Sequence, residues 1–204
     1  MLVLHQMQMS GNCYKVRLAA RQLGVELALR NYGLHDGTTR KPEFLSKNPN
    51  GRVPLLEFED GRTLAESDAI LWYLSEETFL LPADRWARAE VLQWMFFEQY
   101  SHEPYIAVAR FWISFAPKEQ LEKRRHLIPE WHAKGNAALA VMQTHLARRD
   151  WIVGEHYSIA DIALYAYTHC AADGGFDLAA YPAVGAWLKR VASEPRHVPL
   201  EVAW

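Results

Sequence analysis

The sequence predicts two successive domains of different class: an α/β domain over residues 1–80 and an all-helical domain over residues 81–204. Three observations carry this. The apolar pattern in the first 80 residues changes period repeatedly, short runs alternating with three-four spacing. After the Leu80-Leu81-Pro82 linker there is no convincing strand. A chain of 204 residues, half of them apolar, is long enough to bury one large core or two small ones.

Leu2-Val3-Leu4 is a short apolar run suited to a buried strand, and Ser10-Gly11-Asn12 breaks the pattern after it. Val16, Leu18, Ala19, Ala20 and Leu23 then recur at helical spacing, with Gly24 as a C-terminal stop. Leu27 to Tyr32 alternates and predicts a second strand, and Pro42-Glu43-Phe44-Leu45 a short helix opened by proline. Asn48-Pro49-Asn50-Gly51 is turn chemistry. Residues 53–58 and 62–64 flank Glu59-Asp60-Gly61 as a hairpin. A helix is predicted over 66–77 with Ala69, Ile70, Tyr73 and Leu74 on one face. The order is β-α-β-α-β-β-α, with parallel pairing across the helical crossovers and one antiparallel hairpin.

The second half predicts a long helix from Arg85 to about Ala116 that Pro104 kinks or breaks, and another over 118–148 that Pro129 bends. Ser158-Ile159-Ala160-Asp161 has capping-box spacing, with aspartate in place of glutamate. A last amphipathic helix is predicted over 182–191.

Composition removes several function classes. Lysine and arginine number 22 against 24 acidic residues, a net charge of −2, so no global field recruits nucleic acid or an anionic membrane. Two cysteines, Cys13 and Cys170, make no disulfide framework, and the nine histidines contain no HExxH spacing, so no metal is expected. The N-terminus lacks a basic region and reads as a strand rather than a signal peptide, and no apolar stretch spans a membrane. A cytoplasmic protein is expected.

Four landmarks then stand in order: Ser10-Gly11-Asn12-Cys13 after the first strand, Asn48-Pro49-Asn50-Gly51-Arg52-Val53-Pro54-Leu55-Leu56, Ala65-Glu66-Ser67-Asp68-Ala69-Ile70, and Ser158-Ile159-Ala160-Asp161. Each alone is weak. Together, over nearly the whole chain, they resemble a glutathione S-transferase of bacterial cytosolic, serine type. The resemblance implies a thioredoxin-like first domain that binds glutathione, a helical second domain, and a cytosolic homodimer.

It also assigns roles. The bond before Pro54 is cis in the family, which turns the Val53 backbone toward the cysteinyl backbone of glutathione as an added strand; on sequence alone a trans proline at a strand start is the commoner case. Ser67 and the start of its helix would take the glutamyl carboxylate and Glu66 the ammonium, although a serine cap beside a dipole-complementing glutamate is an ordinary helix start. Arg40, Lys41 or Arg52 would meet the glycyl carboxylate, against a plain solvated role for each. Lys47, near them, also reads as a solvated cation.

Ser10 would hold the glutathione sulfur as a thiolate by hydrogen bonding, with helix capping as the bland alternative. Asn12 is the rival donor, and the sequence does not decide between them. Cys13 stands where the second cysteine of a C-x-x-C pair would be, with serine at the first position. It reads as a small packed side chain or, less simply, as a redox group. The electrophile pocket would lie between the domains, with Met9, Tyr105 and Trp112 among its candidates, although an aromatic stripe is more often core.

The function implied is conjugation of glutathione to a small hydrophobic electrophile. A glutathione-dependent disulfide or peroxide reductase, and a non-catalytic binding protein, remain as alternatives.

Overall fold

The computed structural model describes residues 1–202. Two compact units form: residues 1–81 together with residues 195–202, and residues 82–194.

The first unit holds strands β1 (Leu2–Gln6), β2 (Leu27–Asn31), β3 (Leu55–Glu57) and β4 (Thr63–Ala65), in the order β2-β1-β3-β4. β1 and β2 run parallel, joined through helix α1 (Gly11–Leu23); β3 is antiparallel to β1, and β4 to β3. The parallel pair needs a helical crossover and the hairpin does not, as expected from the order of elements. Helix α2 (Pro42–Leu45) opens on its proline, and α3 (Ser67–Ser75) comes after β4. This mixed sheet with its helices, succeeded by an all-helical unit, is the predicted fold class.

α1 ends where Gly24 takes the left-handed conformation (φ 71°, ψ 23°), its N–H and that of Val25 closing back on Arg21 and Ala20 carbonyls. Leu4, Val16, Ala20, Leu27, Leu56 and Ile70 form the buried core. One expected face is corrected. Ile70 and Leu71 carry the burial of α3 and Leu74 is half-buried, whereas Ala69 and Tyr73 are exposed, so the apolar stripe sits one position off the predicted one.

The last described residues return to this first unit. Leu200 is buried; its carbonyl accepts from Arg17 at 3.1 Å and from Gln8 at 2.8 Å, and Tyr14 donates to the Val198 carbonyl at 2.6 Å. Arg17 also donates to the Gln8 carbonyl at 2.9 Å, so the segment after β1 and the residues around Leu200 share one guanidinium.

The helical unit comprises α4 (Arg85–Phe97), α5 (Glu103–Arg110), α6 (Lys118–Glu122), α7 (Ile128–Leu146), α8 (Ile159–Thr168) and α9 (Pro182–Ala192). The two long predicted helices are divided. Pro104 and Pro129 sit in the first turns of α5 and α7, where a missing N–H is harmless. Wider π-type turns at 98–102 and 111–115 absorb the breaks around α5. At α8 both arms of the capping box form: Ala160 N–H reaches Ser158 Oγ, and Asp161 takes the Ser158 N–H at 3.0 Å. Among the described residues, no helix is long and apolar enough to cross a membrane.

Candidate functional site

The site is built where α1 and α3 begin. Ser10 caps α1 from an extended conformation, its Oγ accepting from the Cys13 N–H at 3.3 Å. The capping role and the donor role are compatible, because an accepting hydroxyl keeps its own proton to give. In the first turn of α1, Asn12 Oδ1 accepts from Ser67 Oγ at 3.3 Å. The two loops that the sequence singled out therefore meet through this bond.

Ser67 is not the N-cap expected of it. The cap is Glu66, at positive φ (φ 68°, ψ 118°) and without a side-chain capping bond. Ser67 is the first helical residue, 5% exposed, and its hydroxyl faces α1. It also accepts from Lys15 Nζ at 3.3 Å. Lys15 is fully buried and pairs with Asp68 at 3.1 Å. Glu66 itself is exposed.

The Val53-Pro54 bond is cis, as the resemblance implied, and Pro54 is buried immediately before β3. Asn48 shapes the approach. Its Nδ2 donates to the Arg52 carbonyl at 2.8 Å and its Oδ1 accepts from the Asn50 N–H at 3.1 Å. Gly51 takes φ 63°, and a Cβ there would come within 2.6 Å of Arg40 Nη1. Arg40 donates to the Asn50 carbonyl at 2.8 Å, so it braces this turn, while Lys41 and Arg52 stand exposed.

Cys13 is wholly buried, its sulfur accepting from the Met7 N–H at 3.4 Å. Burial pushes the thiol up, which suits a packed protonated side chain. Met9, just before Ser10, is 38% exposed. In the helical unit Tyr105 and Trp112 are half-buried, with Lys134 Nζ 5.0 Å above the first ring and the Arg124 guanidinium 4.1 Å above the second.

Against this geometry, residues 9–77 match the glutathione S-transferase N-terminal domain and residues 92–195 the C-terminal domain. The chain belongs to the glutathione S-transferase family. A glutathione S-transferase structure from Pseudomonas fluorescens Pf-5 is 52% identical with a TM-score of 0.93, and each chain covers 98% of the other. The disulfide-bond oxidoreductase YfcG of Escherichia coli K12 is 30% identical over 191 residues, 90% of this chain and 87% of that protein. A glutathione transferase from Burkholderia graminis, solved with two glutathione molecules per subunit, is 29% identical with a TM-score of 0.82, covering 96% of this chain and 85% of that one.

Two features of this glutathione S-transferase family member escape sequence reasoning. One is Lys15, read only as part of a helix. The other is a network under α2. His5, 1% exposed, contacts Tyr32 Oη and Glu57 Oε2, each at 2.7 Å, and both Glu57 oxygens accept from Lys47 at 2.5 Å. Lys47 is thus a structural ion-pair partner rather than a solvated cation. Burial holds His5 below its ordinary pKa despite Glu57, and Lys47, then His5, holds the Glu57 carboxyl low. The signal for both was a charged or titratable residue at an inward register position: His5 shares a face of β1 with Val3, and Lys15 stands three and four positions before Leu18 and Ala19 in an apolar helix.

Proposed function

We propose that this protein binds glutathione in its first unit, keeps the sulfur as a thiolate beside Ser10 and Asn12, and transfers it to a small hydrophobic electrophile. The observation that carries this is the joined pair of helix starts: Ser10 caps α1, and Asn12, two residues on, accepts from the Ser67 hydroxyl at the start of α3. Two helix N-termini favour two negative groups, the sulfur at one and the glutamyl carboxylate at the other. Val53, ahead of Pro54, pairs with the cysteinyl backbone, and Glu66 holds the ammonium. Lys41 and Arg52 receive the glycyl carboxylate, with Arg40 supporting their loop.

The energetics are of the right size. A free thiol titrates near ~8.5, and lowering it by two units takes about 2.7 kcal/mol of preferential thiolate stabilisation. A single hydroxyl bond to a charged group contributes roughly 1.5–3 kcal/mol. Ser10 remains uncharged throughout and attacks nothing. Holding the electrophile against the thiolate supplies further acceleration through proximity. Met9, exposed just before Ser10, contacts the electrophile next to the sulfur. The chain works as a cytoplasmic homodimer, a state supported by the exposed Trp86, Phe96 and Tyr100 and read by sedimentation.

A second reading, glutathione-dependent disulfide reduction, is favoured by the similarity to YfcG and by the placement of Asn12 in the joining hydrogen bond. Thiolate absorbance of bound glutathione against pH, with conjugation and disulfide-reduction rates measured in parallel, separates the two. Ser10→Ala is expected to raise the apparent thiol pKa by about one to two units and lower conjugation about tenfold or more at neutral pH. An unchanged pKa removes Ser10 from the mechanism. Reductase activity that survives Ser10→Ala and fails in Asn12→Ala establishes the second reading.

A further inference from the structure

Of the residues around the paired helix starts, Lys15 is the one that folding explains least. A fully buried ammonium is unfavourable unless it is paired and hydrogen-bonded. Among its neighbours are Asp68 Oδ1 at 3.1 Å and Ser67 Oγ at 3.3 Å, both in the first turn of α3. A cation at a helix N-terminus opposes the helix dipole, which favours anions there. Replacing both members of a buried ion pair by apolar groups of similar volume is often neutral or stabilising, so folding alone does not call for a cation here.

We propose that Lys15 is a positioning residue for the glutamyl end of glutathione, acting through Ser67. This rests on the reading that the first unit binds glutathione. The Ser67 hydroxyl has one proton and two lone pairs. Lys15 engages one lone pair, which directs the proton away from Lys15. In the structure that proton goes to Asn12 Oδ1. A carboxylate arriving at the start of α3 is a stronger acceptor than a neutral amide oxygen, so the proton turns to it. The buried ammonium then lies behind the hydroxyl, with its charge complementing the carboxylate rather than the helix.

The same movement releases the Asn12 side chain from Ser67. Occupation of the glutamyl end is thereby communicated to the loop that faces the sulfur. A substrate lacking the glutamyl group leaves Ser67 bonded to Asn12.

The test compares glutathione with cysteinylglycine, which keeps the thiol and glycyl carboxylate and lacks the glutamyl group. Lys15→Met alone leaves Asp68 without its cation, and Asp68 Oδ2 already takes no hydrogen-bond partner, so that variant risks misfolding. The doubly substituted Lys15→Met, Asp68→Leu protein replaces the pair by apolar groups of similar volume, and Asp68→Asn keeps the ammonium. Calorimetric affinities for both thiols are measured on each protein after circular dichroism shows it folded. The expected result is a tenfold or greater loss of glutathione affinity in the double variant, cysteinylglycine affinity within twofold of the parent, and retention of the glutathione preference in Asp68→Asn. Glutathione affinity unchanged in the double variant overturns the role of Lys15 and leaves glutathione binding intact. An equal loss for both thiols also overturns it, since general loosening of the site does not discriminate between them. A parent protein that binds neither thiol removes the functional reading itself, and this inference with it.

Discussion

Glu66 shows how a single residue can be at odds with its own backbone. A non-glycine side chain at φ 68°, ψ 118° lies outside the left-handed well, a conformation that costs roughly 1–3 kcal/mol and persists where the surroundings impose it. Nothing in Ala65-Glu66-Ser67 announces this, because positive φ is signalled in sequence by glycine or asparagine. The sequence therefore points to Ser67 as the cap. Glu66→Gly removes the steric conflict and adds about 0.5–1 kcal/mol of unfolded-state entropy to be lost on folding. The net effect is stabilisation by roughly 1 kcal/mol, a rise of about 2–4 °C in Tm for a chain of this size. The same change deletes the proposed partner of the glutathione ammonium, so affinity falls about tenfold or more. Scanning calorimetry and a binding titration on one preparation read both. A lowered Tm would show that the strain is relieved elsewhere in the loop.

Elements were the most legible level, because their signals are local. Gly24 closes α1 and the Ser158 box forms with its aspartate, and Pro104 interrupts its helix, whereas Pro129 opens a helix instead of bending one. What local patterns missed was the rotation of α3 about its axis, which is set by packing on α1 and the sheet rather than by periodicity. Asp161 carries the element-scale prediction. Its carboxylate receives the N–H groups of Ser158 and Ile152 and the Trp187 indole N–H at 2.8 Å, tying the start of α8 to α9. Burial nonetheless raises it to about 6 from an ordinary 3.8. The folded state thus binds this proton more tightly than the unfolded chain does. Its contribution to stability is fully present below about pH 3.8 and is lost as pH rises through about 6. Asn at this position is neutral at every pH. Urea denaturation should therefore find Asp161→Asn more destabilising at about pH 4.5 than at about pH 7.5. A parent–variant difference independent of pH would mean that the donors cancel desolvation, and one that grows with pH that they outweigh it.

At the scale of the molecule, the sequence conveyed the two classes of architecture and the order of the landmarks. It did not convey the return of residues 195–202 to the first unit, since Arg17 and Leu200 are 183 positions apart and no local pattern relates them. Lys15 was hidden for a similar reason: its partners Ser67 and Asp68 lie on another helix. Ligand recognition is also a property of the whole chain, because a ligand bound only by the folded state stabilises all that unfolds with it. At a glutathione concentration about a hundredfold above its dissociation constant the linkage is about 2.7 kcal/mol, roughly 5–10 °C in Tm. Under the proposed function, binding and sulfur activation draw on different residues, so the shift should divide accordingly. Ser67→Ala, which removes the proposed glutamyl anchor, is expected to lose most of it. Ser10→Ala, which acts on the thiol–thiolate balance, should keep most of it at about pH 6, where bound and free sulfur are both largely protonated. Thermal scans of the three proteins with glutathione, and with ophthalmic acid as the thiol-free analogue, make the division measurable. Ophthalmic acid should stabilise parent and Ser10→Ala alike. If neither tripeptide moves the parent's Tm at millimolar concentration, the paired helix starts serve some ligand other than glutathione.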